Sequence, residues 1–86
     1  MQKEQVIEEL KKLGLIELSD VFKTGDKDVF VKRCGEYKIV VKIWYNGSGC
    51  VELYFLNNTE YVAKTNNELL PDFLIMFVKN LIKGFK

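Results

Sequence analysis

From Tyr37 to Phe55 the chain alternates between two sets of side chains in a way that suits a pleated strand and no helix. Tyr37, Ile39, Val41, Ile43 and Tyr45 share one parity, and Lys38, Val40, Lys42 and Trp44 share the other. After Asn46-Gly47-Ser48-Gly49 the alternation resumes, with Val51, Leu53 and Phe55 set against Glu52, Tyr54 and Leu56. Two strands joined by a glycine-containing turn account for it.

Further turn signals at Gly35 and Asn57-Asn58 extend the pattern on both sides, predicting a four-stranded antiparallel meander between Val29 and Lys64. Register follows from parity, because residues opposed across a strand pair belong to the same face of the sheet. A three-residue Gly47-Ser48-Gly49 loop sets Asn46 opposite Cys50, Ile43 opposite Leu53 and Val41 opposite Phe55, which keeps one face apolar. A two-residue loop would set Ile43 against Glu52 and spoil that face. On the second face the same register brings Lys42 to Tyr54 and Trp44 to Glu52.

The flanks have a different period. Lys3–Leu13 places Val6, Ile7, Leu10 and Leu13 on one helical stripe, with Glu8 four residues before Lys12 and Gly14 as the stop. Leu69–Lys86 reads as a second helix, with Asn67 or the next residues as cap and Pro71 in the first turn. It is apolar on more than one side, through Leu70, Phe73, Leu74, Ile75, Met76, Phe77, Val78, Leu81, Ile82 and Phe85, so it is expected to be sandwiched. Ser19–Asp28 is a polar connection with room for one short turn.

The expected fold class is therefore α+β: an N-terminal helix, a four-stranded antiparallel meander and a C-terminal helix (αββββα). A helix is expected to pack along Ile39, Val41, Ile43, Leu53 and Phe55. The 86 residues, 48% apolar and 13% aromatic, suffice for one packed core and no second one, so residues 1–86 form a single domain.

Several chemistries lack their residues. The sequence holds no histidine, which removes the commonest general base and most transition-metal sites, and no enzyme is expected. Cys34 and Cys50 lack the spacing of a metal or redox pair, and the meander sets them ~30 Å apart, at ~3.3 Å per strand residue. Two free thiols in a reducing, cytoplasmic compartment are the expectation. Gly25-Asp26-Lys27-Asp28 lacks the oxygen-ligand ladder of a calcium loop, and Gly47-Ser48-Gly49 lacks the Lys-Ser/Thr and the helix of a phosphate loop. No metal and no cofactor are expected. Met1–Leu13 is too charged for a signal peptide, and the longest apolar run, Phe73–Val78, is short of the ~17–25 residues of a membrane span, so no membrane association is expected.

What remains is a surface. The second sheet face mixes aromatics with lysines, a composition suited to a protein partner or to stacked bases. Lys38, Lys42, Trp44 and Tyr54 are the expected partner-binding residues, and Ile75, Val78, Ile82 and Phe85 form a possible homodimer interface on the second helix. The alternative is a nucleic-acid-binding module with Lys32, Arg33, Lys38 and Lys42 on phosphates and Trp44 and Tyr54 as stacking platforms. With a formal net charge of +1, no strong global field decides between them. The favoured expectation is a small non-enzymatic interaction protein, a regulator or inhibitor that binds a protein partner and can self-associate. One arginine amid plentiful Lys, Asn and Ile suggests an AT-rich genome, and with it a virus or mobile element as source.

Overall fold

The computed structural model describes residues 1–18 and 27–85. The polar connection over 19–26, with the first half of Gly25-Asp26-Lys27-Asp28, lies outside them. Helix α1 spans Lys3–Lys12, followed by β1 (Ile16–Glu17), β2 (Lys27–Cys34), β3 (Tyr37–Trp44), β4 (Gly49–Phe55), β5 (Tyr61–Lys64) and helix α2 (Pro71–Gly84). The strands form one antiparallel sheet in the order β1-β2-β3-β4-β5. The expected meander is present, extended at one edge by the short β1.

Helix α1 begins where the Gln5 side chain accepts a hydrogen bond from the Gln2 amide at 2.8 Å. It ends in two reversed bonds, Gly14 N–H to the Lys11 carbonyl at 3.0 Å and Leu15 N–H to the Leu10 carbonyl at 3.1 Å, the pattern that closes a helix on a left-handed residue. Leu10 and Leu15 are both buried, so the cap is also a core contact. Lys3 reaches Asp28 on β2 at 2.9 Å and ties the helix start to the sheet.

Helix α2 starts two residues later than the periodicity predicts. Leu69 is still paired as a strand, exchanging backbone hydrogen bonds with Gly49 at 2.8 and 3.1 Å. Leu70 precedes a proline, whose ring disfavours helical backbone at the residue before it, and Leu70 is extended at φ −64°, ψ 151°. The cap is thus Leu70 rather than Asn67, and its side chain caps nothing.

Both helices pack on one face of the sheet. Val6 and Leu10 from α1, with Leu74, Ile75 and Val78 from α2, enclose Phe30, Ile39, Val41, Ile43 and Val51. Burial of such side chains contributes about 1.5–3 kcal/mol each before ordering entropy is charged. Leu53 is half-buried and Phe55 lies at the margin, 42% exposed, stacking on Tyr37 at 4.9 Å, which in turn meets Phe85 at 5.2 Å.

The hairpin register differs from the sequence expectation. Ile43 is opposite Gly49, Val41 opposite Val51, Ile39 opposite Leu53 and Tyr37 opposite Phe55. The loop has three residues, but they are Tyr45-Asn46-Gly47: Trp44 N–H donates to the Ser48 carbonyl at 2.8 Å and Gly47 N–H to the Trp44 carbonyl at 3.0 Å. Gly47 takes the left-handed position at φ 88°. Asn46 Oδ1 accepts from the Ser48 amide and hydroxyl at 3.1 and 2.6 Å and so fixes the turn. Gly49 is required by proximity, since a Cβ there would fall on the Lys42 carbonyl oxygen. Both registers preserve parity, so each residue keeps its expected face while its opposite neighbour changes.

Helix α2 is not sandwiched. Leu74, Ile75 and Val78 take the buried stripe, and Phe73, Met76 and Phe77 remain on the outside. Ile75 and Val78 of the expected dimer interface are spent on the domain's own core, and Ile82 and Phe85 are half-buried against it. Those four residues are therefore not free as a set to form a dimer seam.

Candidate binding surface on the open sheet face

Among the described residues no helix covers the second face of the sheet. Pairing across the strands builds it in rows. Ile16, Val31, Val40, Glu52 and Lys64 form the middle row. Arg33, Lys38, Tyr54 and Tyr61 form the row on one side, and Val29, Lys42 and Cys50 the row on the other. Lys27 and Trp44 close the end.

Glu52 is the electrostatic centre. It is 3% exposed, which for a carboxylate demands compensation. Lys42 Nζ lies 3.3 Å from the carboxylate, Lys64 Nζ lies 3.8 Å away, and the Tyr54 hydroxyl donates to Oε1 at 2.8 Å. These three groups supply that compensation. Burial and the bond to the Glu52 carboxylate push the Tyr54 hydroxyl up to about 12. The neighbouring Cys50 thiol is raised as well, by burial first and by Glu52 second, so it is a poor nucleophile.

The cations are arranged over the rings. Lys38 Nζ sits 5.2 Å from the Tyr54 ring centre, Lys27 Nζ 5.8 Å from that of Trp44 and Lys64 Nζ 5.8 Å from that of Tyr61. The Trp44 indole N–H donates to the Asn67 carbonyl, which brings the chain after β5 to the rim of the face. Five cations, Lys27, Arg33, Lys38, Lys42 and Lys64, thus share the described part of the face with one carboxylate, Glu52. The whole chain has a formal charge of only +1, so the sheet has separated its charges.

No protein-family model, no curated protein and no solved structure matches the chain.

Of the expected partner-binding residues, Lys38, Lys42, Trp44 and Tyr54 all lie on this face. Their pairing is not the expected one. Lys38, not Lys42, is opposite Tyr54, while Lys42 is opposite Cys50, and Glu52 is opposite Val40 rather than Trp44. The expected nucleic-acid set is split. Arg33, Lys38 and Lys42 are on the open face, but Lys32 points to the helix side, packing its ammonium end against Gly14 beyond the end of α1. Neighbouring residues of a strand cannot serve one face, so Lys32 and Arg33 were incompatible from the start. Lys27 has the parity of Arg33 and was legible. Tyr61 and Lys64 were not, because a bulge between them shifts the phase of β5: Tyr54 pairs with Tyr61 while Glu52 pairs with Lys64.

Cys34 and Cys50 are both free and buried. They sit at opposite ends of the sheet and on opposite faces, Cys34 beside Tyr37 and Cys50 beside Lys42. Among the described residues no helix is long and apolar enough to cross a membrane.

Proposed function

We propose that the chain is a non-enzymatic interaction domain, a regulator or inhibitor, that seats an acidic surface of a protein partner on the open sheet face. The observation that supports this most is the occupation of the rings: the Tyr54, Trp44 and Tyr61 rings each have a lysine ammonium within 5.2–5.8 Å. A face that stacks bases must offer bare rings, and here the ammonium groups would first have to be displaced. Carboxylates of a partner meet those ammonium groups directly. Arg33, Lys38 and Lys27 are the groups left to do so, since Lys42 and Lys64 are held by Glu52.

Nucleic acid is the second reading, favoured by the imbalance of five cations to one carboxylate. The two readings separate in one titration. A glutamate-rich peptide and a single-stranded oligonucleotide of equal charge are added in turn while backbone amide shifts are followed. The protein-partner reading expects the peptide to move Arg33, Lys38, Val40 and Tyr54, and Lys38→Glu to abolish the shifts. Oligonucleotide binding to those residues, with a log–log salt slope near −0.7 per phosphate neutralised, would replace it with the second reading. Shifts from neither ligand would remove both. Two unpaired thiols accord with a reducing compartment, and cytoplasmic residence is part of the proposal. Origin in a virus or mobile element rests on composition alone.

A further inference from the structure

The outer stripe of α2 is apolar and exposed. Leu70, Phe73, Met76 and Phe77 are 59%, 54%, 51% and 42% exposed, and helical spacing puts them next to one another. Beside Phe77 the surface continues into a groove of about 210 Å³ between α2 and β5, lined by Val51, Leu53, Ala63, Phe77 and Leu81 with Lys64 and Thr65 at its polar side. Large side chains of ~200 Å² at half exposure present ~100 Å² each, so the four of the stripe together offer on the order of 400 Å² of apolar surface. That lies within the range of the largest patch on a typical monomer, where such patches are often functional, and a polar rim carries it towards the ~800 Å² that each partner contributes to a stable interface.

We propose that α2 pairs antiparallel with the α2 helix of a second copy of the chain, about a twofold axis near Phe77. The helix is complementary to itself in that orientation. Its first turn carries Asp72 and its last turn Lys83, so each acidic end lies against the basic end of its mate, and the helix dipoles oppose. The bulky end, Leu70 and Phe73, meets the slender end, Asn80 and Gly84. A Cβ at Gly84 would have no atom within 4 Å in the monomer, so that end has room to receive a neighbour. Phe77 lies against Phe77 at the centre, with the groove over Ala63 flanking it. The seam uses none of Lys27, Arg33 and Lys38, the cations proposed to meet a partner, since they lie on the other side of the sheet from α2, and so it stands or falls apart from the proposed function.

Sedimentation equilibrium over the full soluble concentration range tests the pairing. The wild type should show a monomer–dimer equilibrium. Phe73→Glu should weaken it at least about tenfold while leaving the thermal melt in place, because the side chain is half exposed already. Lys83→Asp should weaken the dimer, and Asp72→Lys combined with Lys83→Asp should restore it. A wild type that stays monomeric throughout, a folded Phe73→Glu that sediments as the wild type does, or a double variant no tighter than Lys83→Asp alone would each overturn the pairing.

Discussion

Gly49→Ala places the smallest possible change at the point where the β3–β4 register is set. The added Cβ falls on the Lys42 carbonyl oxygen and 3.2 Å from the Ile43 Cα, both backbone, so no side-chain rotation relieves it. The strands must part there by more than an ångström, enough to carry a hydrogen bond of 2.9 Å out of range. The bond that crosses β3–β4 beside it, Trp44 N–H to the Ser48 carbonyl at 2.8 Å, is the one stretched, while Gly49 is driven against Leu69, its partner in two bonds at 2.8 and 3.1 Å. One lost bond at about 1 kcal/mol and a forced backbone shift of about 1–3 kcal/mol put the cost at ~3 kcal/mol. A domain of 86 residues has about 4–13 kcal/mol in total, so a large part of the stability goes. Urea unfolding followed by fluorescence of Trp44, the single tryptophan, measures it. Gly47→Ala is the control: its left-handed backbone at φ 88° predicts a smaller loss of about 1–2 kcal/mol. Gly49→Ala within about 0.5 kcal/mol of the wild type, the range of ordinary surface changes, would refute the close approach and with it the register.

Ile39→Ala, at a fully buried position between the helices and the sheet, should cost about 2–5 kcal/mol in the same urea assay. Tyr54 should ionise last among the tyrosines in an ultraviolet pH titration, near 12, and Glu52→Gln should bring it back toward the ordinary range. Because the folded state holds that proton more tightly than the unfolded chain, the associated stability is complete below pH 10 and is lost as pH rises towards 12. Cys34 and Cys50 should both resist a thiol reagent in the native state and react together on unfolding, since both are buried and Cys50 is raised by burial and by Glu52.

The sequence was most legible where side-chain pattern and local geometry agree. Alternation sorted Ile39, Val41 and Ile43 from Lys38, Lys42 and Trp44, and Gly14 marked the end of α1, because each depends on neighbours within one turn or one pleat. The hairpin was legible only in part. Tyr45-Asn46-Gly47 and Gly47-Ser48-Gly49 are both three-residue loops that keep parity, and what separates them is the pairing of Gly49 with Leu69, twenty residues on. The start of α2 was displaced by the same contact. Helix α2 itself carries enough apolar residues for two faces, and periodicity cannot tell the stripe that meets the sheet, Leu74, Ile75 and Val78, from the stripe that stays exposed, Phe73, Met76 and Phe77. On the candidate surface, four expected residues lie together, yet parity alone sets Glu52 beside Trp44 and gives no sign that its carboxylate is buried among them. Strand β5 was expected, but the placing of Tyr61 and Lys64 on this face was not legible, because its four residues are all exposed and its phase is broken by a bulge.

Central to all of this is a sheet with one side hidden beneath both helices and the other, among the described residues, under no helix. Methyl NMR with a soluble paramagnetic agent reads that difference directly. The Ile16 and Val31 methyl signals, on the open face, should broaden strongly, whereas those of Ile39, Val41 and Ile43 should survive. Equal broadening of Val41 and Ile16 would contradict it.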